Sequence, residues 1–221
     1  MIPTESTSVV LPTKEAWHKY RVKGIGASVA ASIVGLNPHK TNRQLWLELT
    51  GRAKAPYIGD KPYVQYGIAA EPLLREMFKL DFPEYKVNYE QWRVYRNKQY
   101  PFILATLDGE LIDPRNRNGV WECKTTEIFN PSQWEQWKDR VPDNYYVQVL
   151  HQLIATGWDF SILKAQIRFR DKSNGLCIST RHYHFERSDV MSDMEYLLQE
   201  EIKFWECVEK DKEPPLILPK I

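Results

Sequence analysis

The chain has 221 residues, with 30 Lys and Arg against 29 Asp and Glu and a formal net charge of +1. A balance this close to zero excludes a protein that holds nucleic acid by bulk charge alone. With 43% apolar and 27% charged residues the chain has enough apolar side chain for a core, which excludes disorder along its whole length.

Pro12 introduces a short helix over residues 13–21. A second helix is expected over 28–36, with Ser28 near its start and Asn37-Pro38 closing it. Thr41 and Gln44 have the spacing of a capping box, and the helix they open ends at Gly51. Residues 62–80 read as a fourth helix, with Val64, Ile68, Leu74 and Phe78 as its buried stripe. The period then changes. Residues 87–95, 102–112 and 120–126 read as strands, with a turn at 113–119 joining the last two. Helices follow over 131–139 and 143–156, the second stopped by Gly157. A strand pair is expected over 160–169 and 178–185, around Asn174-Gly175. Ser188 is placed to cap a helix running to about residue 209, burying Met194, Leu198, Ile202, Trp205 and Val208 before Pro214-Pro215. This order predicts one α/β or α+β domain with helices on the faces of a mixed central sheet.

Three cysteines, Cys123, Cys177 and Cys207, are too few and too scattered for a disulfide framework or a paired-cysteine metal site. No apolar run reaches the roughly 18 residues a membrane helix needs. The first residues lack a basic flank and a long apolar core, so no secretory signal is expected there. The expectation is a soluble intracellular protein. The charge is uneven along the chain: residues 1–60 carry eight basic against four acidic side chains, and 151–221 ten against twelve. A basic front and an acidic back are also what ordinary solvated surface produces.

The strongest chemical signal is Asp108 followed by Glu122-Cys123-Lys124. Glu122 and Lys124 stand at i and i+2 of a strand and so share a face. A hairpin brings Asp108 beside Glu122. Two carboxylates in reach make an oxygen-rich site for Mg²⁺ or Mn²⁺. A lysine on the same face can hold an attacking water and offset developing negative charge, as phosphodiester hydrolysis requires. The same spacing also occurs in plain strand ion pairs. The apolar flanks Val120, Trp121 and 102–104 set these charges beside a core, where unpaired charge is costly. Glu71, one helical turn after Gly67, is either a further metal ligand or a solvent-facing helix acid. Gln148 and Gln152 lie on one helical face and could bind a water or a phosphate oxygen, or simply line a polar surface. Arg21 and Ser28 flank a glycine-bearing turn that could receive an anion, or are a surface arginine and a helix cap.

Together these residues resemble a known family. Residues 26–38 and 41–52, then Gly67 to Glu71, Leu107-Asp108-Gly109, Glu122-Cys123-Lys124 and Tyr145 to Gln148, look like YqaJ-type viral recombinases, kin of phage lambda exonuclease. The resemblance covers about residues 15–160. It implies a PD-(D/E)xK restriction-endonuclease-like core with Asp108, Glu122 and Lys124 as its signature. It implies that Asp108, Glu122 and the Cys123 backbone carbonyl bind Mg²⁺, that Glu71 completes a two-metal site and that Lys124 positions the water. Gln148 matches the helper glutamine, and Arg21, Ser28 and Thr106 match the groups that receive a 5′-terminal phosphate.

The implied activity is an alkaline 5′→3′ exonuclease that digests one strand of linear double-stranded DNA. It would leave 3′ single strands for a single-strand annealing protein, and a homotrimeric ring would give processivity. The implied setting is the bacterial cytoplasm, from a phage or prophage. On this reading residues 1–221 form one nuclease domain, with a helical phosphate-binding part at about 13–80, a catalytic core at about 85–170 and a C-terminal helix at about 188–210. Leu107 replaces the expected proline, Leu150 stands where relatives often carry a second glutamine, and Gly26 stands where lambda exonuclease has a hydroxyl. A structure- or sequence-specific endonuclease on the same fold, and a non-catalytic DNA-binding module, are the alternatives.

Overall fold

The structure is a computed structural model that describes residues 2–171 and 175–219. In chain order the elements are β1 (Ser6–Val10), α1 (Lys14–Arg21), β2 (Ile25–Gly26), α2 (Ala27–Ala30), α3 (Asn42–Leu49), α4 (Pro62–Asp81), β3 (Lys86–Asn88) and β4 (Arg93–Asn97). Then come β5 (Ile103–Ala105), β6 (Gly109–Ile112), β7 (Asn118–Ile128), α5 (Pro131–Glu135), α6 (Asp143–Thr156), β8 (Phe160–Asp171), β9 (Gly175–Glu186) and α7 (Met191–Glu209).

Local chemistry sets several boundaries. Thr13 caps α1 by accepting the Ala16 amide at 3.1 Å. The capping box of α3 is formed: Thr41 accepts the Gln44 amide at 3.1 Å and Gln44 accepts the Thr41 amide at 2.8 Å. Gly157, at φ 75°, closes α6 in the left-handed region that glycine enters without strain.

The strands form two sheets rather than the single one expected. One has the order β3-β6-β7-β8-β9, and β7 and β8 run parallel while the other pairs are antiparallel. The parallel pair needs a crossover, which α5 and α6 provide. The other sheet has the order β1-β4-β5-β2. Its first strand lies in a segment for which no element was expected, and pairs with β4 from Ser6–Asn97 to Val10–Arg93. Helix α6 packs against strands of both sheets and against α2 and α7. All ten of its residues from Val147 to Thr156 are buried. A helix buried on every side forms the centre of a core, not its surface.

Seven further expectations are corrected. The strand expected over 102–112 breaks at 106–108, where the chain leaves one sheet for the other, so Asp108 sits at a strand junction. The strand over 87–95 is likewise split, with Trp92 at φ 64° between its halves. The second helix is only Ala27–Ala30, followed by turns, and Ser28 lies inside it. Helix α5 stops at Glu135 instead of reaching residue 139. Ser188 does not cap α7, which starts at Met191; its hydroxyl instead bonds Asp189. In α4 the stripe facing the sheet is Ala70, Leu74 and Phe78, and Ile68 is exposed. In α7 it is Met194, Leu197, Leu198, Glu201 and Phe204; Ile202, Trp205 and Val208 are half-buried. The β8–β9 hairpin forms and is longer than expected, although Asn174 lies outside the described residues.

Candidate active site

The β6–β7 hairpin places the central pair. Its register pairs Gly109 with Trp121, so Asp108 arrives beside Glu122 and Cys123. Asp108 Oδ2 accepts the Cys123 amide at 2.9 Å. Lys124, two residues past Glu122 on the same face, puts Nζ 2.7 Å from Glu122 Oε1 and 5.0 Å from the centre of the Tyr145 ring.

Glu122 is only 2% exposed. A carboxylate so buried must have its lone pairs met. Helix α6 meets them: Gln148 Nε2 donates to Oε1 at 2.6 Å and Gln152 Nε2 to Oε2 at 2.5 Å. Both glutamines therefore reach the site, one on each oxygen. Their spacing of four residues on a helix face, visible in the sequence, is what allows it.

Helix α4 brings Glu71. Close approach is possible because Gly67 faces Thr125 of β7, and a Cβ there would come 3.3 Å from the Thr125 hydroxyl. Glu71 pairs with Arg75 at 3.1 Å. Arg75 also donates to the Asp108 carbonyl, and its guanidinium lies 3.7 Å from the centre of the Tyr89 ring. Sequence reasoning missed Arg75. The available signal was its i+4 position after Glu71.

The electrostatics mark this cluster as strained by like charge. Burial pushes the Asp108 carboxyl well above its ordinary value, and the Glu122 and Glu71 carboxylates push it further. Burial raises Glu71 as well, partly offset by Arg75. Burial opposes the Lys124 ammonium, but Glu122 and Asp108 outweigh it and hold its pKa above the lysine norm. The Cys123 thiol is raised by burial and by the same acids.

Among the described residues, no three Asp, Glu, His or Cys side chains are gathered so as to enclose a metal ion by themselves. The oxygen donors still fit a hard divalent cation that completes its shell with backbone carbonyl and water, and such an ion would relieve the repulsion at Asp108.

A second group of expected residues lies near the neighbouring sheet: Arg21 ends α1, Ser28 is inside α2 and Thr106 follows β5. Strand β2 runs parallel to β5, with Gly26 opposite Leu104. The Arg21 guanidinium lies 4.4 Å from the centre of the Trp17 ring, and a Cβ at Gly26 would be 3.5 Å from one of its nitrogens. The space of the missing hydroxyl at Gly26 is therefore next to Arg21. Ser28 is exposed and Thr106 half-buried. Among the described residues Arg21 is in no ion pair, and burial lowers its pKa without a carboxylate to offset it.

The two sheets, the broken strand at Asp108 and the acid–lysine hairpin define a PD-(D/E)xK-like fold. The YqaJ-like viral recombinase domain matches residues 16–159, and the chain belongs to that family. The uncharacterized protein YqaJ of Bacillus subtilis strain 168 is 30% identical over 198 residues, covering 87% of this chain and 56% of that protein. The chain thus spans just over half the length of this curated relative. An alkaline exonuclease from Laribacter hongkongensis has a similar structure, with a TM-score of 0.66 at 17% identity, covering 90% of this chain and 94% of the other. A phage-related exonuclease from Haemophilus somnus 129PT gives a TM-score of 0.54 at 13% identity, covering 85% and 96%. At these identities the likeness speaks for the fold.

Proposed function

We propose that this chain is one nuclease domain that hydrolyses phosphodiester bonds of linear double-stranded DNA, removing one strand from its 5′ end. The observation that carries this reading is the juxtaposition of Asp108, Glu122 and Lys124 on one hairpin, with both Glu122 oxygens fixed from α6.

Asp108, Glu122 and the Cys123 carbonyl would hold Mg²⁺, with Mn²⁺ able to substitute. Glu71 would contribute to a second site on release from Arg75. The bound cation supplies Lewis-acid polarisation of the scissile phosphate. Lys124 orients the attacking water and offsets negative charge as the phosphorus is attacked. Gln148 and Gln152 keep the Glu122 carboxylate from rotating. Arg21, Ser28 and Thr106 would receive the 5′-terminal phosphate, because among the described residues Arg21 is in no ion pair and Ser28 offers an exposed hydroxyl.

The 3′ strand left by this reaction suits a single-strand annealing protein. A homotrimeric ring around DNA would supply the hold that a net charge of +1 does not. The bacterial relative favours the cytoplasm of a bacterial host as the setting. No helix among the described residues is long and apolar enough to cross a membrane.

The test is digestion of linear duplex labelled at either end, with 5′ phosphate or 5′ hydroxyl, with and without Mg²⁺. Loss of the 5′ label first, only with metal and faster with phosphate, is expected, and closed circular duplex should stay intact. Cleavage of the circle would favour the endonuclease alternative. Undiminished digestion by Glu122→Ala would overturn the site.

A further inference from the structure

A groove of about 400 Å³ lies between the end of α1 and α7, and none of the chemistry above uses it. It is lined by Tyr20 and Lys23, by Arg96 of β4, by Phe102 and Leu104, and by Trp205 of α7. Its rings are ordered: Phe102 and Trp205 stack with centroids 5.1 Å apart and planes 9° apart. The one carboxylate in its lining, Glu209, accepts the Trp205 indole N–H at 2.9 Å. Lys23 Nζ lies 5.8 Å from the centre of the Tyr20 ring. Among the described residues neither Lys23 nor Arg96 is in an ion pair, and both are exposed.

The groove adjoins the proposed phosphate pocket. Lys23 is two residues from Arg21, and Leu104 is two residues before Thr106. The α1–β2 loop is pressed onto Phe102. Ile25 donates its amide to the Phe102 carbonyl at 2.7 Å, and a Cβ at Gly24 would overlap that oxygen at 2.3 Å. The loop that carries Lys23 is therefore tied to the backbone at Phe102.

We propose that this groove holds the first unpaired nucleotides of the strand left behind when its complement is digested, an inference that rests on the exonuclease reading above. Stacked rings accept any base, and flanking cations meet the phosphates on either side, which is the chemistry of single-strand recognition. Arg21, Ser28 and Thr106 account for the end of the digested strand, so the groove beside them is left for the other one. A near-neutral chain needs such local cations, because its overall field does not attract DNA.

The experiment measures binding by fluorescence anisotropy in EDTA, where no strand is cut. The probes are a blunt duplex with 5′ phosphates and the same duplex with a 3′ extension of about four nucleotides. The wild-type chain is expected to bind the extended duplex about tenfold more tightly. Lys23→Gln with Arg96→Gln should remove that preference and lower the salt dependence on the extended duplex, leaving blunt binding within about twofold. Both positions are exposed, so the fold is not at risk. Phe102→Leu, which removes ring surface and no charge, should lower the preference in the same direction.

Equal wild-type affinity for the two duplexes, or an equal loss on both in the double variant, would overturn the proposal. So would a free deoxynucleoside monophosphate that binds as tightly as the extended strand, because the groove would then hold product. Digestion of the blunt duplex by the wild-type chain with Mg²⁺ tests the exonuclease reading separately. Digestion without a preference for the extension defeats the groove alone.

Discussion

Glu122 concentrates the chemistry of the site in one side chain. It is buried, it faces Lys124, and it takes one amide on each oxygen. Glu122→Gln keeps the shape and removes the charge that Lys124 and a cation need, so kcat should fall by about a thousandfold with the fold intact by circular dichroism. Lys124→Ala should cost about 10²–10³ in kcat with little change in KM, because on the proposed mechanism the lysine acts on charge that develops during reaction. Gln148→Leu with Gln152→Leu leaves a buried carboxylate without its two amide donors. It should destabilise the fold by about 2–4 kcal/mol in urea unfolding and also slow the reaction. Asp108, Glu122 and Lys124 were legible in the sequence because a strand period of two and a short turn dictate their meeting. The i+4 pairing of Arg75 with Glu71 was open to the sequence, but its bond to the Asp108 carbonyl was not, since no residue pattern reports a backbone acceptor.

At the scale of elements, the site depends on how closely α4 lies on β7. Gly67→Leu must push α4 off Thr125, moving Glu71 and Arg75 with it. A displacement of about 1 Å at a positioning group can cost about a hundredfold in rate, so activity should fall by one to two decades while helix content is kept. A second contact joins α6 to α7. Buried His151 places Nδ1 2.5 Å from Glu201 Oε1 and Nε2 2.9 Å from the Leu104 carbonyl.

Burial disfavours the His151 imidazolium, yet Glu201 and the carbonyl acceptors outweigh it, and its pKa stands above the ordinary 6.5. A raised pKa in the folded state means stabilisation that is full below the unfolded value and lost as pH rises through the folded one. Urea midpoints should therefore fall from slightly acidic to alkaline pH. His151→Gln with Glu201→Gln should flatten that slope. A slope unchanged in the double variant would assign the pH dependence to other groups. The pair was invisible in the sequence, because the two residues are 50 positions apart on helices whose contact only the fold creates.

For the whole molecule, the near-neutral charge acquires a different meaning once the acids are located. Part of the negative charge is gathered at Asp108, Glu122 and Glu71, where it repels itself, and a cation would neutralise it. Mg²⁺ at about a hundred times its dissociation constant should stabilise the folded chain by about 2.7 kcal/mol. In a chain of this size that raises Tm by roughly 5–10 °C. EDTA should reverse the shift, and Glu122→Gln should abolish it. The absence of any Tm change with Mg²⁺ or Mn²⁺ would count against these residues as metal ligands.

The sequence by itself determined the helix caps at Thr41 and Gly157, the acid–lysine hairpin and the α+β order of elements, because each depends on residues within a turn or on two adjacent strands. Family membership was also legible, since ordered short motifs survive without knowledge of the fold. Only the tertiary structure decided that there are two sheets, that β1 belongs to one of them and that the strand expected over 102–112 breaks at Asp108. It alone decided that both α6 glutamines reach Glu122. The physical reason is common to these cases. A strand's partners and a buried carboxylate's donors come from distant parts of the chain, and they are set by packing around α6 rather than by any local preference.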